Sequence, residues 1–251
     1  MIKLLKNIYR KLRSLHRLVK LYYSVNWTKT IYFNFRKFPF SIAKKLPVFF
    51  YGKIKFTSLK GKIIIVAPVK RGMIGFGQPY EMNTLHKGIA EINISGKLVF
   101  KGHVQFGKDY FIFISANAYS EFGHMSSLGT NAKFICAESI KLGNYARFGS
   151  ESQIIDTNFH QMINTITKEK SKITAPIFIG DFNYIGSRVT IMQDTITPNY
   201  CTIASNSLCN KDYRTFGNNI LIGGIPAKLL KDNISRDWDG EKEILQKALI
   251  L

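Results

Sequence analysis

Between Ile179 and Leu208 the apolar positions recur at an interval of six. The chain divides there as IGDFNY, IGSRVT, IMQDTI, TPNYCT and IASNSL, headed by Ile179, Ile185, Ile191, Thr197 and Ile203. An α-helix repeats every 3.6 residues and a half-buried strand every two, so neither accounts for this spacing. A parallel β-helix does, because each flat side of a coil takes about six residues and turns one small aliphatic side chain inward. Gly180 and Gly186 follow the inward residue, where a missing Cβ suits the corner. Thr197 is the one departure from the aliphatic pattern.

The same step of a large apolar residue and a glycine recurs upstream at Phe106-Gly107, Phe122-Gly123, Leu128-Gly129, Leu142-Gly143 and Phe148-Gly149, with slips of register between. Phenylalanine in inward slots predicts a wider early part of the same coil. Units of this kind stack on one another, so the expected architecture is mainly β, one continuous solenoid rather than several globular domains. Residues 156–174 interrupt the repeat with a polar excursion, and the repeat resumes at APIFIG. After Tyr213 it fades. A short helix is expected from Ala227, and a closing helix from Asp239 to Leu249 with Asp239 as its N-cap. The predicted segments are residues 1–53, 54–226 and 227–251: a basic helix with an aromatic-rich cap, a β-helix and a helical tail.

Charge changes the picture only at the N-terminus. The 251 residues carry a formal charge of +20, yet residues 1–60 hold 15 Lys or Arg and no Asp or Glu. Within residues 2–23, Lys3, Lys6, Arg10, Arg13, Arg17 and Lys20 mark one helical stripe. Leu5, Ile8, Leu12, Leu15, Val19 and Tyr22 mark another. Such a helix suits an anionic membrane surface, or else packs on the protein's own body with a solvated basic face. Phosphates of nucleic acid attract a basic stripe too, but no base-reading motif accompanies it, and nucleic acid is not expected. Residues 27–53, rich in Trp, Tyr and Phe, suit a cover for the open end of the solenoid or an extension of the membrane-facing surface.

No run of 18 apolar residues and no signal-peptide core is present, so a cytoplasmic protein is expected, peripheral on the inner membrane face if the first helix binds lipid. Cys136, Cys201 and Cys209 show no metal spacing and read as packing residues of a reducing compartment.

DTNFH at 156–160, APIFIGDFNYIGSRVTIM at 175–192, TIASNSLCNKDY at 202–213 and GGIPAKLL at 223–230 occur in an order that resembles the hexapeptide-repeat acyltransferases. Within that family the chain is most similar to sugar O-acetyltransferases of capsule and lipopolysaccharide assembly. The resemblance is strongest over residues 142–231. It implies a left-handed coil, a homotrimer with sites in clefts between neighbouring coils, acetyl-CoA as acyl donor and a sugar hydroxyl as acceptor. It implies His160 as general base, since an alcohol attacks a thioester only as its proton leaves and imidazole titrates near neutrality. Asp156 matches the first carboxylate of the family's D-T-D-x-H motif, as an orienting group, an acceptor contact or a turn cap. Asn158 stands at the second carboxylate position, so His160 lacks the family's charged partner there. The implied donor groove runs beside Ser187, Ala204 and Ser205, with Tyr184 where tryptophan is common and Asn206 where glycine is. Lys211 and Lys228 match basic positions that meet CoA phosphates.

Three other readings use the same scaffold. A γ-type carbonic anhydrase needs an H-x4-H pair, which His16, His86, His103, His124 and His160 do not supply, and no metal is expected. A xenobiotic or other small-molecule acetyltransferase would use the same base and groove. A non-catalytic, membrane-associated scaffold would account for Asn158 and Asn206.

Overall fold

Each hexad forms a short strand followed by a turn, and successive coils stack strand on strand. The protein is described by a computed structural model covering residues 22–78 and 88–248, together with Lys6, Tyr9, Leu12, Arg13, Leu15, His16 and Val19. A nine-stranded sheet contains β1 (Val48–Phe50), β4 (Ile74–Phe76), β7 (Val104–Phe106), β10 (Ser126–Leu128), β13 (Arg147–Phe148), β16 (Tyr184–Ile185), β18 (Cys201–Ile203), β20 (Ile220–Gly224) and β21 (Ala227–Lys231). A seven-stranded sheet contains β2 (Ile54–Ser58), β5 (Ala90–Ile94), β8 (Phe111–Ile114), β11 (Lys133–Cys136), β14 (Gln153–Ile155), β17 (Thr190–Met192) and β19 (Leu208–Cys209). A five-stranded sheet contains β3 (Lys62–Ile65), β6 (Lys97–Phe100), β9 (Tyr119–Phe122), β12 (Ser139–Leu142) and β15 (Ile177–Ile179), prolonged by single bridges from Phe178 to Ile196 and from Ile196 to Asp212. The strands pair in parallel within all three sheets, except for the antiparallel β20–β21 pair. The three sides wind as a left-handed parallel β-helix.

Ile179, Ile185, Ile191, Thr197 and Ile203 are all buried, as their interval requires. Thr197 is satisfied inside the coil: its hydroxyl donates to Asn183 Oδ1 at 2.8 Å and accepts from the Gly180 N–H at 3.0 Å. Upstream, phenylalanines fill the inward slots. The rings of Phe50, Phe76 and Phe106 stack face to face, at 5.0 and 4.2 Å. Each such ring, fully buried, contributes about 1.5–3 kcal/mol.

The corner glycines act by a different route from the one expected. The left-handed backbone falls two residues later, at Phe182 (φ 55°) and Arg188 (φ 57°). A Cβ at Gly180 would lie 2.5 Å from the Pro198 carbonyl oxygen, and one at Gly186 would lie 2.6 Å from Ser205 Oγ. The next coil passes too close for any side chain at these two positions.

The solenoid begins at Val48, earlier than the expected Ile54. Helix α1 (Trp27–Lys37) closes its end, followed by the short α2 (Phe40–Ala43). The Phe50 N–H donates to Thr30 Oγ1 at 3.1 Å. Val48 exchanges two bonds with the Asn34 amide, at 3.2 and 2.7 Å. Two side chains thus satisfy an edge that would otherwise be open to pairing. The described residues between Lys6 and Ser24 are helical. Lys3, Leu5, Ile8, Arg10, Arg17, Lys20 and His86 lie outside the described residues.

Two C-terminal expectations are corrected. Ala227–Lys231 is a strand, because the turn at Gly224 (φ 105°) and Pro226 folds the chain back on the free edge of β20. Edge pairing there outweighs local helix preference. The closing helix α3 spans Trp238–Ala248 and is capped by Asp237, whose carboxylate accepts from the Gly240 N–H at 2.9 Å.

Candidate functional site

The excursion leaves β14 after Ile155 and returns to β15 at Ile177, closed by bridges between Thr157 and Thr174 and between Ile163 and Lys170. Its first turn is tight. The Phe159 N–H donates to Thr157 Oγ1 at 2.9 Å, the His160 N–H donates to the Asn158 carbonyl at 2.7 Å, and Phe159 has φ 57°. The turn projects the His160 imidazole into solvent, where it meets no hydrogen-bond partner among the described residues. Asn158 is half-buried, with its N–H on the Ile173 carbonyl at 2.9 Å.

The Asp156 side chain bonds to the preceding coil and not to that imidazole. Its buried carboxylate accepts from the N–H groups of Ala137 (2.6 Å), Glu138 (2.9 Å) and Ser139 (2.9 Å) on the coil before. Of the three roles open to it, the turn cap is the one its geometry describes. Burial and then this carboxylate push the nearby Cys136 thiol far above the usual range. Cys201 and Cys209 are buried free thiols as well.

Ser187, Ala204 and Ser205 form one column on the corner between the nine- and seven-stranded sheets. Ser205 Oγ accepts from the Ser187 N–H at 3.2 Å, and Ser187 Oγ accepts from Ser150 Oγ at 3.3 Å. Arg188 Nε donates to Asn206 Oδ1 at 2.7 Å. Asn206 holds φ 58°, a conformation asparagine tolerates, so the turn survives without the family's glycine. The Ser205 N–H points from an exposed residue and meets no acceptor among the described residues. Lys228 pairs in register with Gly223, whose missing Cβ would lie 2.8 Å from that of Ala204, so this lysine ends the same column. The column consists of small side chains and ends at a lysine.

Lys211 does not join it. Its ammonium sits over Tyr213 and Phe216, at 5.6 and 5.7 Å from their ring centres, on another side of the prism.

Tyr184 projects outward from β16 into a cleft of about 430 Å³ lined by Thr202, Leu221, Ile234, Ser235, Arg236 and Glu241. The C-terminal segment builds the far wall: Arg236 lies over the Tyr184 ring, over Trp238 and against Glu241. Nothing local in the sequence marks these three residues, because the contact arises only when the chain returns some 50 residues later. Among the described residues no three His, Cys, Asp or Glu side chains cluster as metal ligands.

Within one chain, His160 and the Ser187–Ser205 column stand at different corners of the three-sided coil.

No protein-family model matches the sequence, and no curated protein matches it. Solved structures do. The polysialic acid-specific acetyltransferase NeuO superposes with a TM-score of 0.51 at 16% identity, over 76% of this chain and 78% of that one. The polysialic acid O-acetyltransferase OatWY gives 0.40 at 19% identity, over 74% and 87%. A hexapeptide-repeat acetyltransferase of Vibrio cholerae O1 biovar eltor, solved with acetyl coenzyme A, gives 0.38 at 25% identity, over 45% of this chain and 60% of that one. The chain thus has the left-handed parallel β-helix fold, similar to that of the acetyltransferase NeuO.

Proposed function

We propose that this protein is a CoA-dependent O-acetyltransferase that modifies a sugar hydroxyl of a surface polysaccharide or its precursor. The observation that carries this reading is the exposed, unpartnered His160 imidazole on a tight turn of DTNFH, on a coil that also bears the small-residue column. Acetyl-CoA supplies the thioester acyl group. His160 takes the acceptor proton as the hydroxyl oxygen bonds to the acyl carbon, and returns it to sulfur as the C–S bond breaks. The free Ser205 N–H is suited to hold the developing oxyanion. NeuO is a polysialic acid-specific acetyltransferase, and that activity agrees with a glycan acceptor here.

Because base and column occupy different corners, the reading requires a second copy to complete each site. The excursion is built for such contact: Phe159, Met162, Ile163 and Ile166 are exposed, Ile166 to 89%. A homotrimer would cover them and pair His160 of one copy with the column of the next.

Of the described apolar residues of the first helix, Leu12, Leu15 and Val19 are exposed, and Tyr22, exposed as well, meets the ring of Trp27 at 4.9 Å. That favours the lipid reading of residues 1–23 and a cytoplasmic enzyme on the inner membrane face. No described helix is long and apolar enough to cross a membrane.

Calorimetric titration with acetyl-CoA, CoA and a longer acyl-CoA tests the donor site without knowledge of the acceptor. Saturable binding near one site per chain is expected. No binding by the folded protein would favour the non-catalytic scaffold.

A further inference from the structure

Helix α1 meets the solenoid through Thr30, Phe33 and Asn34, all buried, and Thr30 and Asn34 bond to β1 in place of a further coil. Bonds between coils run along the solenoid axis, so α1 lies across that axis at its end. At 100° per residue, the opposite side of α1 carries Thr28, Ile31 and Phe35, while the neighbouring Tyr32 ring stacks on Phe56 of β2 at 6.2 Å. Ile31 and Phe35 are exposed, and Phe40 on α2 is 71% exposed with its ring 6.1 Å from that of Phe35. Arg36, Lys44 and Lys45 rim this face, with Lys44 Nζ 6.0 Å from the Phe40 ring centre.

An apolar patch with a cationic rim fits either a lipid surface or another protein. Charge decides between them. Residues 1–60 contain no carboxylate, so two copies of this face would meet with like charges alone, whereas anionic headgroups complement it.

We propose that the α1–α2 elbow, in addition to residues 1–23, docks end-on against an anionic bilayer and stands the solenoid upright from it. Strand order β1-β4-β7-β10-β13-β16 then sets Tyr184 five strand spacings, about 24 Å, beyond the first coil. The width of α1 adds about 10 Å. Resting on the acyltransferase reading above, the acceptor hydroxyl must be carried that far out on an extended, lipid-linked saccharide rather than on the first sugar at the headgroup.

The test uses the full chain and vesicles of phosphatidylglycerol with phosphatidylcholine, against phosphatidylcholine alone. Phe35→Ser combined with Phe40→Ser should lower the vesicle-bound fraction several-fold with residues 1–23 intact. A dye on Ser41→Cys should transfer energy to headgroup-labelled lipid strongly, and one on Thr215→Cys weakly. Undiminished binding by the double variant, equal binding to the neutral vesicles, or equal transfer from both dyes would overturn the proposal. So would a change in oligomer size in place of lost vesicle binding. Acetyl-CoA titration of the same variants separates the two readings: it should be unchanged by the elbow substitutions, and absent donor binding with intact vesicle binding sinks only the enzyme.

Discussion

The Arg236 guanidinium lies 4.9 Å from the ring centre of Tyr184 and 4.9 Å from that of Trp238, so one cation ties the C-terminal segment to the face of the solenoid. Trp238 is buried behind it against Tyr145 and Phe182. Arg236→Ala should release about 1 kcal/mol of cation–π attraction and leave Glu241 without its ion pair. Hydrogen exchange should then quicken over residues 238–245, with a red shift of Trp238 emission. Unchanged exchange would mean that apolar packing alone holds the segment.

His160→Ala should lower kcat by about 10²- to 10⁴-fold while acetyl-CoA still titrates and the melting temperature holds, because the imidazole supports no fold contact. A verified acceptor acetylated equally well by this variant would remove His160 from the mechanism.

Asp156 behaves oppositely. Asp156→Ala strips three N–H groups of Ala137, Glu138 and Ser139 of their acceptor. The expected cost is on the order of 3 kcal/mol in urea unfolding, with Asp156→Asn milder because one oxygen remains. A stable but inactive Asp156→Ala would point to a catalytic role instead.

Thr197→Val keeps the shape of the inward slot but leaves Asn183 Oδ1 without its hydroxyl donor inside the coil. A loss of about 1–3 kcal/mol is expected, and a combined Asn183→Ala/Thr197→Val variant should fall short of the sum of the single losses. Additive losses would show that the pair does not act as a unit.

His103 and His124 stand on adjacent coils with ring centres 5.9 Å apart, and the His103 backbone N–H donates to His124 Nδ1 at 3.3 Å. Burial holds both imidazoles below their ordinary range; the charges of His124 and Lys70 add to this at His103, and those of Lys70 and Lys242 at His124. The unfolded chain therefore takes up protons first as pH falls below about 6.5, and stability is lost on the acid side and regained as pH rises. Replacing both with Gln should flatten the change in urea midpoint between about pH 7 and pH 5. An unaltered slope would assign acid sensitivity to other groups.

The repeat was legible because its cause is local. An inward residue every six positions is a requirement of the coil itself, and Ile179 to Ile203 met it, including the threonine. The corner glycines were legible as positions but not as reasons: they answer the closeness of the neighbouring coil, and the turn conformation belongs to Phe182 and Arg188. Ala227–Lys231 misled because GGIPAKLL carries both a turn and a helix preference, and only the presence of an open β20 edge chooses between them.

The sequence by itself determined the six-residue period, the start of the excursion at Asp156 and the concentration of net positive charge in residues 1–60, each a property of composition or spacing along one stretch of chain. DTNFH stood out by its resemblance to a family motif. Tertiary structure decided which groups face one another. It turned the Asp156 carboxylate to the 137–139 turn, parted Lys211 from the Ser187–Ser205 column, and brought Arg236 onto Tyr184. It also set His160 and the column on separate corners. Those relations depend on the stacking of coils and the return of the C-terminal segment, where residues 20 to 50 positions apart become neighbours, and a pattern read along one stretch does not contain them.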